Sequence, residues 1–171
     1  MLGGARSGKS AHAEGLLLDV DPTGVDYVAT ARLDPADDDL AARVAGHRER
    51  RPSQWRTVEG VDLVDLLAGP AGGRTRLVDD LGTWLTAEID DAGAWDSPRG
   101  TVAPRCEALV AAVAANRDRV VIVTPEVGLG VVPATRSGRL FRDEIGVLNA
   151  RLAQECDEVL LLVAGIPLRL Q

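Results

Sequence analysis

One stretch near the start of the chain has the residue types and spacing of a phosphate-binding loop. It consists of Gly3, Gly4, Ala5, Arg6, Ser7, Gly8, Lys9 and Ser10, which fits the pattern G-x-x-x-x-G-K-[ST]. In such a loop, backbone N–H groups surround phosphate oxygens, the lysine reaches the β- and γ-phosphates, and the serine hydroxyl ligates Mg²⁺. The pattern predicts a nucleotide site with Lys9 as its catalytic cation. The alternative is a glycine-rich turn that only caps a helix.

The lysine of this motif is unusual in the composition of the chain. Lys9 is the only lysine among 19 basic residues, and all the others are arginine. A compact ammonium on a flexible stem differs from the wide planar fork of arginine. A single lysine must fall somewhere by chance, but its place inside the loop favours a position where arginine would not serve.

The loop needs a sheet and helices to position it, and the rest of the chain supplies their patterns. Apolar runs at 26–31, 76–81, 119–124 and 158–164 are typical of strands covered on both faces. Helical spacing groups three further sets of residues: Leu40, Val44 and His47; Cys106, Leu109, Val110 and Val113; Phe141, Ile145, Leu148 and Leu152. Strands alternating with helices predict an α/β fold, a P-loop (RecA-like) domain of residues 1–171 with a mostly parallel sheet flanked by helices. Met1-Leu2 is too short to be a strand, so we expect the first strand to be truncated.

Bulk properties exclude several classes of protein. The formal charge of −7 argues against nucleic acid as the main partner. No apolar run approaches the roughly 18 residues of a membrane span, and no export signal is visible. Cys106 and Cys156 lie far apart without metal-ligand spacing, as expected of core residues in a reducing cytoplasm.

A parallel sheet places its ligand site at the carboxyl ends of its strands. Asp79 directly follows the apolar pair Leu77-Val78, and a carboxylate there usually serves Mg²⁺ in P-loop proteins. We therefore predict Ser10 and Asp79 as the metal ligands. The alternative for Asp79, and the preferred interpretation of Asp80, is an N-cap of a following helix.

The segment around His47 suggests a second kind of chemistry. His47 is followed by Arg48, Arg50 and Arg51, whose charges favour a neutral imidazole. A neutral imidazole is a nucleophile, and the arginines would hold a phosphate. Spacing alone nevertheless favours a histidine without a catalytic role among solvated arginines. His12, within the helix after the loop, is interpreted as structural.

A resemblance to one family weighs against that interpretation. The segments GGARSGKS, YVATA, HRERRPSQWRTVE, VDDLGTWLT and TPEVGLGVVP occur in order and with similar spacings. Together they resemble the bifunctional adenosylcobinamide kinase / adenosylcobinamide-phosphate guanylyltransferase family of cobalamin biosynthesis. The loop motif is common to many families, whereas the His47 segment and EVGLGVVP are more specific.

The resemblance implies a cytoplasmic two-step transferase that forms a homotrimer. It would phosphorylate adenosylcobinamide with ATP or GTP, then transfer GMP from GTP to adenosylcobinamide phosphate, with Mg²⁺ as cofactor. His47 matches the histidine that carries GMP in the family. The nucleotide-binding positions that match are the loop from Gly3 to Ser10 together with Ala29, Thr30, Ala31, Arg48, Glu49, Arg50, Arg51, Glu59 and Asp79. From chemistry, Glu59 is expected to accept hydrogen bonds from guanine.

Two departures from the family pattern keep other interpretations open. Pro125 stands where the family has asparagine, which puts the handling of the acceptor in doubt. The family also has several apolar residues before the first glycine, so we expect a wrongly assigned start or a trimmed chain, with a degraded family member as the alternative. The competing functions are a P-loop small-molecule kinase without guanylyl transfer and a catalytically inactive nucleotide-binding module.

Overall fold

The computed structural model of the protein describes residues 1–32, 46 and 51–171. In chain order the described elements are β1 (Leu2–Gly3), α1 (Lys9–Gly15), a 3-10 helix (Pro22–Gly24), β2 (Val25–Ala29), β3 (Arg56–Val58), α2 (Leu63–Ala68), β4 (Thr75–Asp79), α3 (Leu81–Asp91), α4 (Ala103–Ala115), β5 (Val120–Pro125), α5 (Arg136–Glu155), β6 (Leu160–Val163) and β7 (Ile166–Arg169). None of the helices in these described ranges is long and apolar enough to cross a membrane.

The strands form one seven-stranded sheet in the order β3-β2-β4-β5-β1-β6-β7. Every neighbouring pair is parallel except β6 and β7, which are antiparallel. The predicted mostly parallel α/β sheet is therefore confirmed. Because β1 lies between β5 and β6, the loop that follows it leaves from the interior of the sheet and not from an edge.

Both faces of the strands β2 and β4 are buried, which explains their continuous apolar runs. Tyr27 and Leu77 point into a cluster that α1 covers, together with Ala13, Leu17 and Val123. Their chain neighbours Val28 and Val78 point to the opposite face and pack with residues of α2, α3, α4 and α5. Successive residues of a strand alternate between faces, so a strand between two helical layers needs apolar residues at every position.

The first strand differs from the expectation that Met1-Leu2 could not form one. Leu2 and Gly3 pair with Thr124 and Pro125 on one side and with Leu161 and Leu162 on the other. The terminal amine of Met1 also donates to the Ile122 carbonyl at 2.9 Å. Two neighbouring strands supply the hydrogen bonds that so short a segment lacks by itself, so β1 forms with only two residues.

Other differences concern elements whose residues carry weak local signals. The strand predicted at 76–81 ends at Asp79, because the Asp80 side chain accepts from Thr83 N at 3.0 Å and caps α3. The N-cap interpretation of Asp80 is thus confirmed. The exposed strands β3 and β7 and the helix α2 were not predicted, and α3 was predicted only through its N-cap Asp80. The helix expected from Leu40, Val44 and His47 lies outside the described residues.

The buried carboxylate of Asp26 connects β2 to β3 and to Arg74, the residue before β4. Asp26, with a side chain only 2% exposed, accepts from Arg56 Nε at 2.8 Å and from Arg74 Nε at 2.7 Å. Burial opposes ionisation of Asp26, but the hydrogen bonds and charges of the two arginines outweigh it and hold its pKa below the usual range. The ion cluster therefore stabilises the fold only while Asp26 is ionised.

We expect Asp26→Asn to lower the free energy of unfolding by about 1.5–3 kcal/mol at neutral pH, because charge-assisted hydrogen bonds are lost. The folded pKa lies below the unfolded value of about 3.9, so this difference is complete above that pH and disappears as the pH falls below it. Urea unfolding of both proteins from pH 7 to pH 3 measures it. Asp96→Asn, at a side chain 99% exposed in its pair with Arg136, is the control and should change little. A pH-independent difference would contradict the assignment.

Candidate nucleotide and phosphoryl-transfer site

The glycine-rich loop connects the buried strand β1 to helix α1. A Cβ atom on Gly3 would lie 2.5 Å from Ser7 Oγ and 2.9 Å from the Leu162 carbonyl oxygen, so only glycine fits there. Gly8 has φ of +91°, a conformation that side chains disfavour. Lys9 Nζ donates to the Gly4 carbonyl at 3.0 Å, and Ser7 Oγ is buried without a hydrogen-bond partner among the described residues. The loop is thus a tight turn in which the Lys9 ammonium contacts the backbone and the Ser7 hydroxyl is buried.

Ser10 and Asp79 are brought together as the metal-site prediction requires. Ser10 Oγ donates to Asp79 Oδ1 at 3.2 Å, across the gap between α1 and the end of β4. A hydroxyl and one carboxylate are the donor set that Mg²⁺ uses when phosphate oxygens of a nucleotide complete its shell. The described part of the chain holds no cluster of three His, Cys, Asp or Glu side chains that could bind a metal without such phosphates. The residues present therefore fit a nucleotide-bound Mg²⁺ ion.

Asp79 has a second partner that sequence reasoning missed. The Tyr27 hydroxyl donates to Asp79 Oδ2 at 2.6 Å. Burial, followed by the charge and hydrogen bond of Asp79, raises the pKa of Tyr27, so the hydroxyl stays protonated. In the sequence Tyr27 is one more residue of an apolar strand. Only the register of β2 against β4 brings it to Asp79.

The residues after β2 lie at the same edge of the sheet, as predicted. Thr30 N donates to the Asp79 carbonyl at 3.3 Å, and Thr30 Oγ1 donates to the Asp80 carbonyl at 2.6 Å. Thr30 Oγ1 is also 2.6 Å from Thr83 Oγ1 in α3. These bonds fix the chain from Ala29 to Ala31 beside the end of β4.

A cavity of about 560 Å³ opens beside this segment. It is lined by Val28, Ala29, Thr30, Ala31, Arg32, Gly60, Val61, Asp62, Leu63, Trp84, Ala87, Glu88, Asp91 and Arg105. In its wall, Arg105 donates to Glu88 at 2.8 Å and to Asp62 at 2.6 Å. The volume and the mixed polar and apolar lining suit part of a nucleotide or of its acceptor.

Two of the remaining predicted nucleotide residues, Arg51 and Glu59, flank β3 in the sequence. The Arg51 guanidinium lies 3.5 Å from the centre of the Tyr27 ring. Glu59 is exposed and directly follows β3, whose last residue Val58 pairs with Val28. The structure therefore places Arg51 and Glu59 near the same edge. Four predicted site residues lie outside the described residues: His47, Arg48, Glu49 and Arg50.

Pro125 is the last residue of β5, on the strand next to β1. Asn149 Nδ2 donates to its carbonyl at 3.0 Å, and a Cβ atom on Gly82 would lie 2.9 Å from its Cγ. The ring thus packs against a glycine of α3. The following loop exposes Leu129 and Val131, which are 79% and 94% accessible. An effect of Pro125 on acceptor binding stays a prediction.

Comparison with known proteins agrees with this geometry. The CobU family model, described as cobinamide kinase / cobinamide phosphate guanyltransferase, matches residues 1–170. The chain is 40% identical over 175 residues to the bifunctional adenosylcobalamin biosynthesis protein CobP of Pseudomonas aeruginosa, covering 100% of this chain and 95% of that relative. It is 38% identical over 179 residues to the bifunctional adenosylcobalamin biosynthesis protein CobU of Escherichia coli, and equally to that of Salmonella typhimurium, covering 99% of this chain and 97% of each relative. With a complete phosphate-binding loop, a paired serine and aspartate, and a match along almost its whole length, the chain belongs to the cobinamide kinase / cobinamide phosphate guanyltransferase family.

Proposed function

We propose that the protein phosphorylates adenosylcobinamide with ATP or GTP and then transfers GMP from GTP to adenosylcobinamide phosphate. The observation that carries the proposal is the loop from Gly3 to Ser10, with Ser10 Oγ 3.2 Å from Asp79, in a chain that matches the family over residues 1–170. The protein would act in the cytoplasm, as the reduced cysteines suggest.

In the kinase step, the loop would position the terminal phosphate of ATP or GTP for attack by the hydroxyl of adenosylcobinamide. A bond forms from the hydroxyl oxygen to the γ-phosphorus, the bond from that phosphorus to the bridging oxygen breaks, the nucleoside diphosphate leaves, and the hydroxyl proton passes to solvent. Lys9, held beside the Gly4 carbonyl, would stabilise the charge that develops on the phosphate oxygens. Ser10 and Asp79 would hold Mg²⁺, which neutralises phosphate charge when bound. The loop therefore supplies positioning and charge, and needs no covalent intermediate.

In the transfer step, His47 would act as the nucleophile. A bond forms between an imidazole nitrogen and the α-phosphorus of GTP, while the bond from that phosphorus to the bridging oxygen breaks and pyrophosphate leaves. Lys9 and the loop amides would hold the departing pyrophosphate. An oxygen of adenosylcobinamide phosphate then attacks the same phosphorus, the phosphorus–nitrogen bond breaks, and the neutral imidazole returns.

Selection of guanine falls to Glu59 in this proposal. Its carboxylate can accept from the N1–H and the amino group of guanine, which adenine does not present in that pattern. Its position directly after β3 places it at the same sheet edge as Ala29 to Ala31, which supports the assignment.

We propose a homotrimer, as the family resemblance implies. The edge strand β7 offers apolar surface for such an assembly, because Ile166 and Leu168 are 63% and 50% exposed and Leu170 follows at 59%. Exposed apolar side chains in a row on an edge strand favour pairing with another chain.

The test of the function is covalent labelling with GTP carrying ³²P at the α-phosphate. We expect an acid-labile, base-stable label on the protein that disappears in His47→Ala. His12→Ala is the matched control, because the chain has two histidines and this one lies in α1 without an assigned role. Labelling should persist in that variant.

The other outcomes separate the alternatives. Phosphorylation of cobinamide without protein labelling would show a kinase that lacks guanylyl transfer. Binding of GTP without either reaction would show a nucleotide-binding module. Label retained in His47→Ala would contradict the assignment of the nucleophile.

A further inference from the structure

Tyr27 stands out as the only tyrosine of the chain and as a polar side chain buried to 4% exposure beside the candidate site. It pairs with Leu77 in the register of β2 against β4, so Asp79 is two residues further along on the same face. A long side chain can cross this diagonal distance. The hydroxyl does so and reaches Asp79 Oδ2 at 2.6 Å.

The two oxygens of the Asp79 carboxylate therefore face different partners. Oδ1 accepts from Ser10 Oγ at 3.2 Å, on the side of the phosphate-binding loop, and Oδ2 accepts from Tyr27. The shorter bond comes from the strand and not from the loop. A rotation of the carboxylate that carried Oδ1 away from Ser10 would break the bond to Tyr27.

The ring of Tyr27 makes a second contact with its face. The Arg51 guanidinium lies 3.5 Å from the ring centre, within the range of a cation–π interaction. The Tyr27 side chain thus contacts the Asp79 carboxylate through its hydroxyl and a cation through its ring face.

We propose that Tyr27 is a positioning residue for the metal site. Its hydroxyl orients the Asp79 carboxylate for the metal ion that both steps use. This inference rests on the proposed function of the site. The effect of Tyr27 on the reaction passes through Asp79.

The role of the Tyr27 hydroxyl is tested by measuring how much Mg²⁺ increases the affinity of the protein for GTP. Calorimetric titration of GTP in Mg²⁺ and in EDTA gives this gain for the full chain. We expect Tyr27→Phe to reduce it about tenfold, since a charge-assisted hydrogen bond is lost, and to leave the affinity in EDTA unchanged. A merely structural role would lower the melting temperature or both affinities together. An unchanged gain would overturn the role of the hydroxyl.

A spectroscopic measurement follows the same contact without any turnover. Tyrosine labelled with ¹³C at Cζ gives one resonance, because the chain has one tyrosine. We expect this resonance to move when Mg²⁺ is added to the GTP complex, and not to move in Asp79→Asn. If Mg²⁺ did not shift this resonance in the wild-type protein, the proposed coupling between Tyr27 and the metal site would be wrong.

Failure of the proposed function gives a different result. The wild-type protein would then show no covalent label, whereas the gain in GTP affinity that Mg²⁺ brings, and its reduction in Tyr27→Phe, would still be measured.

Discussion

Replacement of Lys9 by alanine should reduce both the kinase rate and the guanylyl-transfer rate by about 10²–10³-fold, with little change in stability. Lys9 Nζ lies 3.0 Å from the Gly4 carbonyl, folded over the loop that receives the phosphates. Its positive charge stabilises the negative charge of the transferred phosphate in the kinase step. In guanylyl transfer it stabilises the negative charge of the departing pyrophosphate. Single-turnover assays of each step under saturating nucleotide measure the two losses separately.

Two further variants sharpen this experiment. Lys9→Arg keeps the charge but brings a wide planar group into a tight turn, so we expect it to remain strongly impaired. Arg151→Ala removes an exposed cation that pairs with Glu107 at 3.2 Å, and should retain the wild-type rates. Wild-type rates in Lys9→Ala would contradict the proposed mechanism, and full activity of Lys9→Arg would show that any cation serves.

The second large effect is expected from a single methyl group at Gly3. In Gly3→Ala the new Cβ would lie 2.5 Å from Ser7 Oγ and 2.9 Å from the Leu162 carbonyl oxygen. The serine hydroxyl can rotate, but the backbone carbonyl of β6 cannot yield without moving the strand. We expect a loss of about 1–3 kcal/mol in the free energy of unfolding, measured by urea denaturation.

The neighbouring glycine provides the matched control. A Cβ on Gly4 would meet nothing within 4 Å, so Gly4→Ala should change the free energy of unfolding by less than about 0.5 kcal/mol. Equal stabilities of the two variants would contradict the close packing of β1 against β6. A loss of stability in Gly4→Ala but not in Gly3→Ala would show that Gly4, and not Gly3, is the closely packed position.

The predictions that held rest on local or strongly periodic signals. The loop from Gly3 to Ser10 is contiguous, and it lies between a strand and a helix, as its pattern indicates; phosphate binding there stays a prediction. The apolar runs of β2, β4, β5 and β6 are long enough to predict a buried sheet, and Asp79 follows one of them directly. In each case neighbouring residues carry all of the required information.

The predictions that failed depended on partners distant in sequence. Leu2 and Gly3 form a strand because β5 and β6 flank them, and those strands lie more than 100 residues away. The strands β3 and β7 are exposed and only three and four residues long, so pairing with β2 and β6 defines them. The contact between Pro125 and Gly82 is likewise a product of packing.

By itself the sequence determined the glycine-rich loop between β1 and α1, the class of fold and, through its resemblance, the family to which the chain belongs. Only the tertiary structure decided which groups surround the carboxylate of Asp79. The physical reason is that a hydrogen bond such as that from Tyr27 depends on the register of two strands, and these two residues are 52 positions apart in the chain. Register arises from the packing of both sheet faces, which no single segment encodes.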